Sequence, residues 1–205
     1  KTKIQFDFII DKREPDFFSE EIKSLGGNIY YLPKFNGKNL FKVKKAWNDF
    51  FDEHKEYKIL HSHVRSYASL YLPIAKKQGL KTIIHSHSTS NGKGLEAMGK
   101  AVLQYPLRYQ ADFFFACSRQ AGKWLFGKKI AESDRFFHIK NAIDTEKFAY
   151  NADKRASARA EFNISGDTFV LGYLGRLEEA KNPKFAIDVF NSFKKINPNS
   201  KLLIV

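Results

Sequence analysis

Short apolar runs alternate along the chain with longer stretches in which apolar residues recur every three or four positions. The first pattern is that of buried strands and the second that of amphipathic helices, and their alternation predicts parallel βαβ units. Residues 4–10 read as a strand. A helix follows, with Asp16 as its N-cap and Phe18, Ile22 and Leu25 on one face, and Gly26 and Gly27 end it. A second strand at 29–32 closes on Pro33, and Leu40, Val43, Trp47, Phe50 and Phe51 mark a strongly amphipathic helix. Ile59 and Leu60 begin a strand that runs into His61-Ser62-His63. Residues 67–78 then read as a helix ended by Gly79, and the strand beginning at Thr82 runs into His85-Ser86-His87. After the polar loop 88–94 come a helix to about residue 111, a strand at 113–117, a helix at 120–126 and a short strand at 136–139.

The rhythm then changes. Residues 141–166 hold Asp144, Asn151 and Asp153 ahead of a charged helix around 154–162, which reads as a connection; a strand at 169–174, a helix at 185–196 and a strand at 202–205 follow. The expected organisation is a Rossmann-like domain over 1–145, an interdomain connection over 146–166 and the start of a second Rossmann-like domain over 167–205. The chain opens on a strand and stops within Leu202-Leu203-Ile204-Val205. It therefore reads as an internal piece of a larger two-domain protein, without the first βα unit of one domain and most of the other.

Composition narrows the class. The 205 residues are 28% charged and 15% aromatic, and no apolar run approaches the roughly 18 residues that a membrane-crossing helix needs. That aromatic content can offset the entropy of ordering and argues against disorder. Cys117 is alone, so no internal disulfide is possible; with no signal peptide in view, the cytoplasm is the simplest compartment. The net charge is +13, and it is unevenly placed: residues 65–129 hold eleven Lys or Arg against only Glu96 and Asp112, a balance of +9. Nucleic acid, an anionic membrane surface and phosphorylated substrates would all meet such a stretch.

Four of the six His fall in the two triplets, at the C-terminal ends of expected parallel strands, where open α/β sheets bind ligands. Positions i and i+2 of a strand share a face. Each pair can therefore chelate a transition metal, contact a substrate or shuttle a proton, or simply pack. The loop Ser88-Thr89-Ser90-Asn91-Gly92-Lys93-Gly94 is rich in donors and suits a sugar or a phosphate, although its spacing is not that of a P-loop and a plain solvated connector reads equally well. Gly175 ends a strand, letting backbone approach a ligand, and Arg176 and Lys181 flank the turn into the next helix. Arg176 can fork to phosphate oxygens while Lys181 adds a point charge near a helix N-terminus; the alternative is local pairing with Glu178 and Glu179. Asn141-Ala142-Ile143-Asp144 alone reads as a turn that Asp144 caps.

Taken in order, residues 111–118, then Asn141-Ala142-Ile143-Asp144 with Phe148, then Gly172 to Arg176 with Lys181-Asn182 resemble the retaining nucleotide-sugar glycosyltransferases of family 4, with the GT-B fold. The His triplets and Gly26-Gly27 through Pro33 are similar to capsule and exopolysaccharide members, and the resemblance covers nearly the whole chain. It implies that Arg176 and Lys181, with Gly175, bind the donor diphosphate, and that His87, or His85 two residues away, contacts the sugar at the reaction centre. It places His63, Ser88, Asn91, Lys93 and Asn141 on the acceptor side. Ala142 stands where the family's Asn-Gly-Ile/Val-Asp element has Gly, and neither the family's Gly-rich first loop nor its two acids separated by seven residues is present. The resemblance further implies a UDP- or GDP-sugar donor, no cofactor and no metal in the chemistry. The acceptor would be lipid-linked or a polysaccharide, met at the anionic inner face of the cell membrane by the basic stretch. The chain alone is expected to be inactive. Two other readings stand beside it: a His-based metal-dependent hydrolase, and a basic nucleic-acid-binding α/β module, against which no RNP, KH or helix-turn-helix pattern is present.

Overall fold

The computed structural model describes residues 4–11 and 17–205. It divides into two compact units, Lys1–Ala142 and Ile143–Val205. The expected cap Asp16 lies outside the described residues.

The first unit begins with β1 (Phe8–Ile10), α1 (Ser19–Ser24), β2 (Ile29–Tyr31) and α2 (Leu40–Glu53). It continues with β3 (Ile59–Ser62), α3 (Leu72–Lys77), β4 (Lys81–Ser86), α4 (Gly94–Gln104) and α5 (Leu107–Gln110). It ends with β5 (Phe113–Ala116), α6 (Arg119–Phe126), α7 (Lys128–Ala131) and β6 (Phe136–His138). All the strand pairs are parallel: β1 with β2, and a four-stranded sheet in the order β3-β4-β5-β6. Sequential strands as parallel neighbours with helical crossovers make this the α/β, Rossmann-like architecture that the alternating pattern implied.

Two long helical stretches break where the sequence breaks them. Residues 67–78 split into a 3-10 turn at Ala68–Leu70 and α3, because Pro73 fits only the first turn of a helix. Likewise α4 stops before Pro106, and α5 is a separate short helix.

The core lies between the sheet and α2, α3, α5 and α6. Val43, Trp47, Phe50 and Phe51 of α2 join Tyr71, Leu72, Ile84, Leu107, Phe114 and Phe126 in one buried cluster. The Trp47 and Tyr71 rings stack at 4.0 Å. Each such large side chain contributes about 1.5–3 kcal/mol on burial. Helix α6 lies so close to the sheet that a Cβ on Gly122 would sit 2.4 Å from the ring of Phe136. At the sheet's other end, Asp112 accepts from the backbone N–H and the hydroxyl of Thr82, both at 2.9 Å, and pairs with Lys76 at 3.0 Å, pinning the register of β4 against β5.

The second unit holds α8 (Ala152–Glu161), β7 (Phe169–Tyr173), α9 (Pro183–Ile196) and β8 (Ser200–Ile204), with β7 and β8 parallel. Residues 152–161 of the expected connection are thus helical within this unit, and Arg159 bonds the carbonyls of Ser165 and Thr168.

Candidate functional site

The two-residue period of a strand decides what the His triplets do. In β3 and β4, Leu60, Ser62, Thr82, Ile84 and Ser86 take one face, and Ile84 and Ser86 are fully buried there. The opposite face collects His61, His63, His85 and His87, with Phe115 of β5 alongside. The four imidazoles form a compact layer at the C-terminal ends of adjacent parallel strands. Nε2 of His61 lies 3.2 Å from Nδ1 of His85, and Nδ1 of His63 lies 2.8 Å from Nε2 of His87. The rings of His85 and His87 stack at 4.1 Å.

Their electrostatics follow from this crowding. Burial among the neighbouring rings, then the charges of His61 and His87, push the His63 imidazole down to about 4. Burial, then His87, His63 and His61, push His85 down to about 4 as well. His61 and His87 are lowered by burial too, with His87 also repelled by Arg65. At neutral pH the layer is therefore a set of uncharged imidazoles joined by two ring-to-ring hydrogen bonds. Nε2 of His85 is buried and has no hydrogen-bond partner.

The loop after β4 is tied to the same sheet edge. The Arg65 guanidinium donates to the carbonyls of Ser88 at 3.2 Å and Ser90 at 3.3 Å, and lies 5.5 Å from the centre of the Trp124 ring. Beside it opens a cavity of about 400 Å³ lined by Val64, Arg65, Ser66, Ser90, Asn91, Lys100 and Gln104. A second cavity of about 200 Å³ shares Asn91 and Gln104 and continues toward Arg108 and Trp124. Oδ1 of Asn91 is buried without a partner, so this wall offers an acceptor as well as cations. Of the acceptor-side residues expected from the sequence, Asn91 lines the cavity. Ser88 contributes its carbonyl to holding Arg65, and Lys93 and Asn141 are exposed. Arg65, Lys100 and Gln104 were not singled out from the sequence. The one signal for Arg65 was its place two residues after a His triplet, at the start of the basic stretch.

In the second unit, Gly175 follows β7 and its N–H donates to the carbonyl of Val205 at 3.1 Å. Arg176 is exposed and paired with Glu178 at 3.0 Å, so the local ion pair weighed from the sequence is formed. Asn182 adopts φ 49°, ψ 55° and caps α9, its Oδ1 accepting from the Phe185 N–H at 3.2 Å. Asn suits this left-handed position and Pro183 suits the first helical turn, which explains the Lys181-Asn182-Pro183 order. Lys181 is thereby fixed one residue before the cap of a fourteen-residue helix.

Parallel Rossmann-like sheets with polar and cationic side chains at strand ends define the class of nucleotide-handling α/β proteins that includes the GT-B glycosyltransferases. The chain belongs to Glycosyltransferase Family 4, whose model matches residues 2–147. It is 28% identical over 199 residues to a Bacillus subtilis (strain 168) protein assigned as glycosyltransferase EpsF, covering 95% of this chain and 52% of that protein. It thus spans about half the length of that relative. Among solved structures, Anabaena HepE in complex with UDP superposes with a TM-score of 0.70 at 12% identity, over 98% of this chain and 60% of that one. A glycosyltransferase from Rickettsia africae ESF-5 gives 0.63 at 13% identity, over 100% and 69%. At these identities the likeness is one of fold.

Proposed function

We propose that the protein to which this chain belongs transfers a glycosyl group from a UDP- or GDP-linked sugar to a lipid-linked or polysaccharide acceptor, with retention of configuration, in bacterial surface polysaccharide synthesis. The observation that carries this reading is membership of Glycosyltransferase Family 4 across residues 2–147. Similarity to EpsF and to the fold of HepE, solved with UDP and with UDP-glucose, supports it.

Each unit supplies its own part. In the second, the bond between the sugar's anomeric carbon and the diphosphate breaks with its electron pair leaving on the nucleotide diphosphate. Gly175, Arg176 and Lys181 bind that group, and the two cations offset its charge. Arg176 exchanges Glu178 for a phosphate oxygen when donor binds. In the first, His87 and His85 present neutral imidazoles to the sugar, while His63, Ser88, Asn91, Lys93 and Asn141 serve the acceptor. This division of roles requires neither cofactor nor metal.

The acceptor side also fits a membrane. Leu95, Met98, Val102, Tyr105 and Tyr109 recur along α4 and α5 at helical spacing and are 57–85% exposed. Lys93, Lys100 and Arg108 flank them. An apolar stripe between basic residues suits an anionic bilayer surface, and no helix among the described residues is long and apolar enough to cross one. We place the protein in the cytoplasm, peripherally at the inner face of the cell membrane. The 205-residue chain by itself is proposed to be inactive.

Calorimetry of the natural full-length protein with UDP and GDP tests the donor assignment. One of the two should bind, and Arg176→Ala should weaken it at least tenfold. No binding of either would overturn the donor assignment.

A further inference from the structure

We propose that His61, His63 and His85 form a binding site for a divalent transition-metal ion of the zinc class. One ligating nitrogen from each of the three lies within 4.8 Å of the others. Tetrahedral coordination at the usual Zn–N length of about 2.0–2.1 Å sets ligand nitrogens about 3.3 Å apart. Nε2 of His61 and Nδ1 of His85 already stand at 3.2 Å, so this pair needs almost no movement, and His63, exposed just beyond β3, swings in from within 4.8 Å.

The donor set itself points to an ion. His61 and His85 bring ring nitrogens within 3.2 Å of each other, with the third imidazole of the cluster within 4.8 Å; among transition ions, zinc, copper and nickel accept such donors. His87 stays outside the ligand set, because it faces the positive charge of Arg65 while His63 faces its ring.

The inference does not rest on glycosyl transfer. Where that reading also holds, an ion on His85 withdraws it from the sugar, so the metal acts as an inhibitor and not as an aid to the chemistry.

The test uses the 205-residue chain stripped of metal with chelator and then titrated with Zn²⁺ by calorimetry and with Co²⁺ by visible absorption. One equivalent of each should bind with a micromolar or tighter Kd, and Co²⁺ should give the intense d–d bands of a tetrahedral site. His61→Gln, His63→Gln and His85→Gln should each weaken Zn²⁺ at least tenfold, while His138→Gln leaves it unchanged. Because His85→Gln sits in the sheet and can fail to fold, nitrogen-15 spectra of the unaltered chain's imidazoles provide a second readout. Zn²⁺ should shift the signals of three rings and leave those of His54 and His138 in place. Millimolar binding, loss of affinity in His138→Gln equal to that in the cluster variants, or shifts at His54 and His138 would each overturn the site. None of these readouts depends on a sugar nucleotide, so failure here leaves the transferase reading standing, and the reverse.

Discussion

Nδ1 of His63 lies 2.8 Å from Nε2 of His87, joining the ends of two neighbouring parallel strands through their side chains. Two neutral imidazoles at that distance share one proton, so the orientation of His87 depends on His63. In the natural full-length protein, His87→Ala is expected to lower kcat by about a hundredfold or more, the scale of losing a group that acts on the transition state. His63→Asn, which removes the contact that orients His87 together with an acceptor-side group, should lower kcat by a smaller factor with donor KM unchanged. Steady-state kinetics of both variants check this. Equal activity of His87→Ala and the unaltered enzyme would remove His87 from the reaction centre.

Arg176 and Glu178 form an exposed ion pair, worth little to stability because solvent screens it. Its consequence is competition with the donor. Glu178→Gln should leave the thermal midpoint within a degree or two and lower the donor KM, whereas Arg176→Ala should raise KM and lower kcat. A Glu178→Gln enzyme with a higher donor KM would contradict the competition.

Stability should fall with pH in two stages. A free imidazole titrates near 6.5, while His63 and His85 in the folded chain titrate near 4. The folded state therefore holds fewer protons between those values, and the stability fully present above about 6.5 is lost as pH drops toward 4. At Asp112 burial pushes the carboxyl up, but the Thr82 and Lys76 contacts outweigh it and hold the group below the usual carboxylate range. Its contribution, present above about pH 4, is lost only below that. Urea midpoints measured from pH 7.5 to 3.5 should decline across both ranges. Asp112→Asn should remove the acid stage alone, and a midpoint constant from pH 7 to 4.5 would contradict the lowered His63 and His85 imidazoles.

Gly122→Ala should destabilise the first unit by about 1–3 kcal/mol, the usual cost of overpacking, because its Cβ would meet the Phe136 ring at 2.4 Å. A denaturation midpoint shift measures it, and Gly122→Ala paired with Phe136→Leu should recover part of the loss.

The apolar stripe on α4 should govern membrane binding. Leu95→Ser with Met98→Ser and Val102→Ser should abolish sedimentation with vesicles containing anionic lipid, with the thermal midpoint unchanged because these side chains are exposed. Retention equal to the unaltered chain would place the membrane contact elsewhere.

Much of the fold was legible because strands and helices write different periods. The apolar positions of α2 identify its buried face, and Val43, Trp47, Phe50 and Phe51 are the residues buried there. The His triplets were visible as strand-end chemistry for the same reason: a period of two puts His61 and His63 on one face. What the sequence could not carry was the sideways step. That β3 and β4 are neighbours, so that the four rings merge into one layer, is a fact of sheet order. Arg65, Lys100 and Gln104 become a cavity wall only once the loop 88–93 folds back over the strand ends. Boundaries slipped where local breakers act, at Pro73 and at Pro106.

The most direct test of the account is turnover by the natural full-length protein, given UDP- and GDP-sugars with a lipid-diphosphate-linked acceptor and chelator present. Nucleotide release and proton NMR of the product are followed together. The account predicts nucleoside diphosphate released in step with a product of the same anomeric configuration as the donor, lost about a hundredfold in Arg176→Ala. An inverted product, or no sugar transfer from any nucleotide sugar, would contradict it.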